Sequence, residues 1–225
     1  MTSHGSGACV TTMGAPARAR VRRIREAVTE PVTAVRDLRG LAGRGPWGLV
    51  FAAGDVVVVS GLPGSGKSTL IRRATEGGGI DSQDARDRWE RRLPARLPYG
   101  AYRPLVRLAH YTGLWRALRS GASVVVHDCG SQAWVRRWLA REARRRGRRL
   151  HLLLLDVTPE AARAGQRERG RGVSGHAFAR HRRAVRHLLT TATGGLPPGC
   201  SSAVLLDRDA AGALDRITFP AAPGE

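Results

Sequence analysis

The stretch Val56–Thr69 reads VVVVSGLPGSGKST, and it decides the fold. Four consecutive valines without polar alternation are typical of a β-strand buried on both faces, as in a parallel sheet. The eight residues after Ser60 satisfy the pattern G-x-x-x-x-G-K-[ST], and the residues that follow, TLIRRA, favour a helix. A strand, this loop and a helix in that order indicate a phosphate-binding loop rather than an ordinary glycine-rich turn.

The chemistry of the loop follows from its residue types. Glycines at 61, 64 and 66 let the backbone curl so that successive N–H groups form a concave anion site at the positive end of the next helix. Lys67 would reach the β- and γ-phosphates of a nucleoside triphosphate, and the Ser68 hydroxyl would hold Mg²⁺. We therefore predict ATP and Mg²⁺ as cofactors, bound by Gly61, Leu62, Pro63, Gly64, Ser65, Gly66, Lys67, Ser68 and Thr69.

The charge of the chain is strongly biased. The 225 residues include 38 Lys and Arg against 18 Asp and Glu, a formal charge of +20, yet Lys67 is the single lysine and asparagine is absent. This bias indicates a GC-rich coding background, so the excess of arginine is weak evidence for a nucleic-acid surface. A non-specific contact with nucleic acid stays open, and the one retained lysine indicates that a guanidinium cannot replace it in the loop.

Further apolar runs predict the rest of the sheet. They lie at Ser123–His127, Leu150–Leu155 and Ala203–Leu206, and a segment that can be helical follows each of them. Short buried strands joined by long helical connections indicate parallel pairing. Together with a strand before Asp81, they predict an α/β fold of three layers, in which helices cover both faces of a five-stranded parallel sheet. With the loop at Gly61–Thr69, this arrangement resembles the P-loop NTPase fold.

The chain divides into four segments by composition. We predict a flexible arm at 1–16, a helical leader at 17–53, a P-loop domain at 54–218 and a frayed tail at 219–225. Three cysteines without metal spacing favour a reducing compartment, and no apolar stretch reaches the length of a membrane helix. A cytoplasmic protein without a membrane partner is therefore expected.

Because of the loop at Gly61–Thr69, the sequence resembles the P-loop kinases. The closer resemblance is to the branch of small nucleoside, gluconate, polynucleotide and zeta-toxin type kinases that are often labelled AAA family ATPases, over about residues 54–218. The resemblance implies an enzyme that transfers the γ-phosphate of Mg·ATP to a hydroxyl group. The acceptor, a small molecule or a polynucleotide, is not identified by any motif.

A carboxylate ends the strand VVVHD, at Asp128. This places Asp128 at the carboxyl edge of the sheet, where open α/β sheets bind their ligands. The resemblance implies a position behind the magnesium water shell, or a role in the acceptor pocket. The alternative is that Asp128 caps the helix that starts near Ser131.

Two further acidic candidates follow the second strand. The resemblance implies that Asp81 or Asp84 acts as a base or orients the acceptor hydroxyl, which requires a carboxylate within hydrogen-bond reach. The alternative is that Asp81 or Ser82 caps the helix that starts at about Gln83 and that Asp84 pairs with Arg88 four residues later.

The segment ARAGQRERGRGV, residues 162–173, resembles the lid of the same kinases, whose arginines close over the phosphates. Arg167 and Arg171 match the spaced lid arginines best, and Arg169 is an alternative. A solvated basic helix is the competing interpretation, because 16 arginines fall between residues 136 and 186.

A second function is compatible with the sequence. An ATPase switch or accessory protein would bind ATP and contact nucleic acid or a protein partner through its basic surfaces. A ring-forming motor is disfavoured, because only 19 residues follow Ala203–Leu206 and a helical lid domain needs more.

Overall fold

The computed structural model describes residues 34–45, 47–75, 79–80, 111–128, 133–170 and 172–220. The predicted flexible arm lies outside the described residues, as do the first half of the predicted leader and the last five residues of the predicted tail. The elements follow in this order: β1 (Val35–Asp37), a 3-10 turn (Ala42–Arg44), β2 (Trp47–Val50), β3 (Val56–Gly61), α1 (Lys67–Ala74), β4 (Gly79–Ile80), α2 (111–119), β5 (Val124–Asp128), α3 (Ala133–Arg145), β6 (Leu150–Leu155), α4 (Pro159–Glu168), α5 (Gly175–Gly194), β7 (Ser202–Leu206), α6 (Arg208–Ala213) and β8 (Leu214–Thr218).

The main sheet has six strands in the order β1-β7-β6-β3-β5-β4, and every pair in it is parallel. The α/β class and the parallel sheet between helices are confirmed, with β3 to β7 as the five predicted strands. Strand β1 adds a sixth at the free edge of β7. A separate parallel pair, β2 with β8, was not predicted.

The helical leader predicted at 17–53 is wrong in its described part. Residues Val35–Asp37 pair with Ala203–Leu205 of β7, and Trp47–Val50 pair with β8. The Leu38 N–H also donates to the Leu205 carbonyl at 2.9 Å. Helix propensity is a weak preference, and here the open edge of β7 satisfies the backbone groups of the leader better than an isolated short helix would.

Helices cover both faces of the sheet, and the strands are buried as a consequence. Every residue of β3 is buried. Val57 and Val59 pack in the core beneath α1 with Leu70, whereas Val56 and Val58 belong to the opposite core. The loop after β3 therefore leaves the sheet at its carboxyl edge, between the two layers. No helix among the described residues is both long and apolar enough to cross a membrane.

A cluster of buried polar side chains lies at the amino edge of the sheet. His151 contacts Ser202 Oγ through Nδ1 at 2.8 Å and Asp55 Oδ2 through Nε2 at 2.9 Å. Asp55 also accepts the Arg149 N–H at 2.9 Å. Burial lowers the pKa of His151, and the hydrogen bond to Asp55 opposes this shift only in part. All three side chains are buried, and they lie at the starts of their strands, so this cluster fixes strand register rather than forming a catalytic triad.

Candidate functional site

The loop between β3 and α1 has the backbone of an anion cradle. Gly64 and Gly66 adopt φ values of +87° and +95°, which residues with a side chain rarely adopt. Gly66 is the N-cap of α1 and provides no side-chain cap for the N–H groups of the first helical turn. A helix start of this kind carries partial positive charge and favours an anion.

Lys67 is folded back onto this cradle. Its side chain is only 3% exposed, and Nζ donates to the carbonyls of Gly61 at 2.8 Å and Leu62 at 2.6 Å. A weaker contact of 3.4 Å joins Nζ to Ser65 Oγ. A buried ammonium with carbonyl partners is held at the loop where the phosphates of a nucleotide would bind.

The donor set fits a magnesium–polyphosphate complex. The first turn of α1 has no side-chain cap, Lys67 supplies a cation, and Ser68, a residue that is 3% exposed, carries a hydroxyl on the same turn. Hard oxygen ligands such as this hydroxyl are the ones that Mg²⁺ prefers. Ser68 would hold the metal, with Asp128 at the end of the neighbouring strand β5 as the second candidate.

Helix α4 packs directly on the loop, backbone against backbone. A Cβ added to Gly64 would lie 2.1 Å from the Ala162 carbonyl oxygen, and one added to Gly165 would lie 2.5 Å from the Gly64 oxygen. Gln166, which is buried, donates from Nε2 to the Pro63 carbonyl at 2.9 Å. Only glycines allow this approach, so the start of the predicted lid is fixed to the loop.

Gln166 was not among the predicted site residues. Its Oε1 accepts the Val173 N–H at 3.0 Å, so one side chain of α4 joins Pro63 in the loop to Val173, which follows α4. The feature of the sequence that could have identified Gln166 is that it is a single uncharged amide, next to Gly165, within a segment rich in arginine.

The predicted lid arginines occupy different places. Arg169 donates from Nη2 to Thr69 Oγ1 at 3.3 Å and so contacts the first turn of α1. Arg167 lines a cavity of about 250 Å³ together with Arg163 and Phe178. The preference for Arg167 and Arg171 over Arg169 as lid residues therefore stays a prediction, and Arg171 lies outside the described residues.

The predicted acidic residues are described only in part. Asp128 ends β5, and its register partner in β3 is Ser60, the residue before the loop. Its backbone thus lies at the carboxyl edge beside the cradle, while its role as metal ligand or helix cap stays a prediction. Asp81 and Asp84 lie outside the described residues, and the choice between them stays a prediction.

The leader adds an ion-pair cluster that the sequence did not predict. Arg39 donates to Asp37 and, from Nη1 at 2.6 Å, to Asp156, which follows β6. The Gly40 N–H donates to Asp207 Oδ2 at 2.6 Å. The Arg39 hydrogen bond lowers the pKa of Asp37, and backbone N–H donors lower that of Asp207. This cluster ties the leader to the carboxyl ends of β6 and β7.

Comparison with known proteins agrees with this geometry. A family model described as an AAA domain matches residues 56–193, which is more than half of the chain. No curated protein matches the sequence.

Two solved structures show similarity at low identity. A "putative kinase" from Chloroflexus aurantiacus is 13% identical, with a TM-score of 0.49 over 69% of this chain and 85% of that one. The tunicamycin resistance protein of Deinococcus radiodurans is 14% identical, with a TM-score of 0.37 over 64% of this chain and 99% of that one. On the family match and the phosphate-binding loop together, the chain belongs to the AAA-domain family of P-loop kinase-like proteins.

Proposed function

We propose that this protein is an ATP-dependent phosphotransferase that moves the γ-phosphate of Mg·ATP to a hydroxyl acceptor. The observation that supports it best is Lys67, a buried ammonium held by the carbonyls of Gly61 and Leu62 at the start of an uncapped helix. A cation at this point of the loop would bind the phosphate oxygens of a polyphosphate that enters the cradle.

The exchange of partners at Lys67 explains why a lysine is required. In the structure, Nζ is paired with neutral carbonyl oxygens at 2.6 and 2.8 Å. An ammonium attracts a phosphate oxygen, which carries negative charge, more strongly than a neutral carbonyl oxygen, so a phosphate would bind Nζ more strongly than either carbonyl does. A flexible stem with a compact charge can make this turn inside a buried loop, whereas the planar guanidinium of arginine is larger and needs a fork of acceptors.

The roles of the remaining residues follow the sequence prediction. Bound Mg²⁺ would neutralise charge on the β- and γ-phosphate oxygens. Ser68 and Asp128 would hold it. Asp81 or Asp84 would orient the acceptor hydroxyl and accept its proton, and the lid arginines, Arg167 and Arg171 with Arg169 as the alternative, would stabilise charge on the transferred group.

Catalysis of this kind depends mainly on positioning. Arg169 already contacts Thr69, and Gln166 joins α4 to Pro63. The segment with the arginines therefore starts from an anchored helix, and only the residues after Gln166 need to move over the phosphates.

The test is a transfer screen with γ-labelled ATP and Mg²⁺ over five acceptor classes: nucleosides, sugars, antibiotics, peptidoglycan precursors and polynucleotide 5′-hydroxyls. We expect label on one class with the wild-type protein and none with Lys67→Ala. Lys67→Arg keeps the charge and is the matched control, and we expect it to be as inactive as the alanine variant.

Two outcomes would contradict the proposal. Label that appears only as inorganic phosphate with every acceptor would favour the ATPase switch instead. Wild-type ATP affinity in Lys67→Ala would refute the assignment of the loop. The basic surface is tested separately, because a non-specific contact with nucleic acid loses most of its affinity between about 50 and 200 mM salt.

A further inference from the structure

Ser60 is a buried hydroxyl with no hydrogen-bond partner. It is the last residue before the phosphate-binding loop, its exposed fraction is 0%, and its Oγ makes no hydrogen bond in the structure. Leaving a buried donor unpaired is costly, and such an atom in a folded protein calls for an explanation. The four preceding positions of β3 are all valine, so a hydroxyl is not what the packing of this strand requires.

The position of Ser60 in the sheet limits what it can bind. Val56 and Val58 belong to the core on the side of α2 and α3, and side chains alternate along a strand, so position 60 belongs to that same side. In β5, Val124 and Val126 belong to the same core. The register partner of Ser60 in β5 is Asp128, so the backbones of these two residues lie side by side at the carboxyl edge of the sheet.

We propose that Ser60 is a positioning residue for Asp128 in the nucleotide-bound state. The hydroxyl would donate a hydrogen bond to the carboxylate and hold it toward the magnesium water shell. The inference rests on the proposed function, because it requires that Mg·ATP binds at the loop. It goes beyond that function in assigning a role to a residue outside the G-x-x-x-x-G-K-[ST] motif.

The chemistry favours this pairing over a purely structural role. A hydroxyl that donates to a carboxylate forms a charge-assisted hydrogen bond, which is among the stronger ones in proteins. A serine kept for packing alone would be replaced by alanine without loss, and the change would remove a desolvated polar group. A role in positioning Asp128 and a role in packing alone therefore predict different effects of the substitution Ser60→Ala.

The experiment uses Ser60→Ala in the full chain, with thermal unfolding as the readout. Without ligand, we expect the variant to unfold at the same temperature as the wild type or a few degrees higher, because the unpaired hydroxyl is gone. With saturating ATP, we expect the Mg²⁺ concentration that gives half of the ligand-induced shift to rise about tenfold or more, since a hydrogen bond to a charged group is lost. ATP binding in EDTA should not change.

Two control variants accompany it. Ser60→Thr keeps the hydroxyl on a strand-compatible side chain and should restore the Mg²⁺ dependence. Ser202→Ala also removes a buried strand serine, but that serine is paired with His151 at the opposite edge of the sheet. We expect it to lower the unfolding temperature and to leave the Mg²⁺ dependence unchanged.

The results separate the two proposals. An unchanged Mg²⁺ dependence in Ser60→Ala, with Lys67→Ala still abolishing the ATP-induced shift, would overturn the role of Ser60 and leave the phosphotransferase proposal standing. The double variant Ser60→Ala/Asp128→Asn gives a second test. If the effects of the two substitutions on the Mg²⁺ dependence simply add, the role of Ser60 is also overturned, because two residues that act as a pair give non-additive effects. A wild-type protein without any ATP-induced shift would refute both proposals.

Discussion

Gly64 and Gly66 provide a matched pair for testing how closely α4 packs on the phosphate-binding loop. Both have positive φ, so alanine at either position is strained by about 1–2 kcal/mol. The surroundings differ. A Cβ at Gly66 has nothing within 4 Å, whereas a Cβ at Gly64 would lie 2.1 Å from the Ala162 oxygen, when real contacts are not shorter than 3.0 Å.

The structure therefore sets the size of the difference. Overpacking a tight contact costs about 1–3 kcal/mol, so Gly64→Ala should lose roughly 2–5 kcal/mol of unfolding free energy against about 1–2 kcal/mol for Gly66→Ala. The entropy that alanine removes from the unfolded chain is the same at both positions and cancels in the comparison. In thermal unfolding, the difference corresponds to at least about 2 °C.

The assay is urea unfolding of both variants without nucleotide, followed by far-ultraviolet circular dichroism. We expect Gly64→Ala to have the lower midpoint with an unchanged slope. Equal midpoints for the two variants would refute the direct backbone packing of α4 on the loop, because backbone strain alone would then account for both.

Two more predictions concern the buried polar groups. Since the pKa of His151 is lowered by burial, the unfolded state binds more protons below about pH 6.5, and the unfolding free energy should fall as the pH drops from 6.5 toward 5. An unfolding free energy that rises on acidification would show that the ion pair with Asp55 outweighs the effect of burial on His151. In either case, His151→Gln should make the unfolding free energy less dependent on pH over this range. Gln166→Leu removes the bonds to Pro63 and Val173, so we expect about 1–3 kcal/mol of lost stability and faster proteolysis after α4. Unchanged cleavage there would contradict the anchoring role.

The phosphate-binding loop is the part of the site that could be read from the sequence alone. Glycine spacing, a preceding valine run and a following helix are all local features, and the geometry of such a loop depends on the backbone freedom of a few adjacent residues. The same holds for the inner strands, because a continuous apolar run needs burial on both faces wherever it lies.

The structure of the leader could not be predicted from the local sequence pattern. The apolar residues at 32, 35 and 38 fit a helix by spacing, yet Val35–Asp37 form a strand on β7, some 170 residues away in the chain. Nothing in those three residues reveals the free edge that they pair with. Arg39 is a similar case, since its partner Asp156 is brought beside it only by the order of the strands.

The sequence by itself determined a phosphate-binding loop on a parallel α/β sheet, because those features depend on neighbours in the chain. Only the tertiary structure decided that α4 rests on Gly64, that Gln166 bridges the loop and the segment after α4, and that the hydroxyl of Ser60 is buried without a partner. Each of these depends on which distant atoms meet. Burial and the satisfaction of polar groups are properties of the packed chain, and no local pattern of residues contains them.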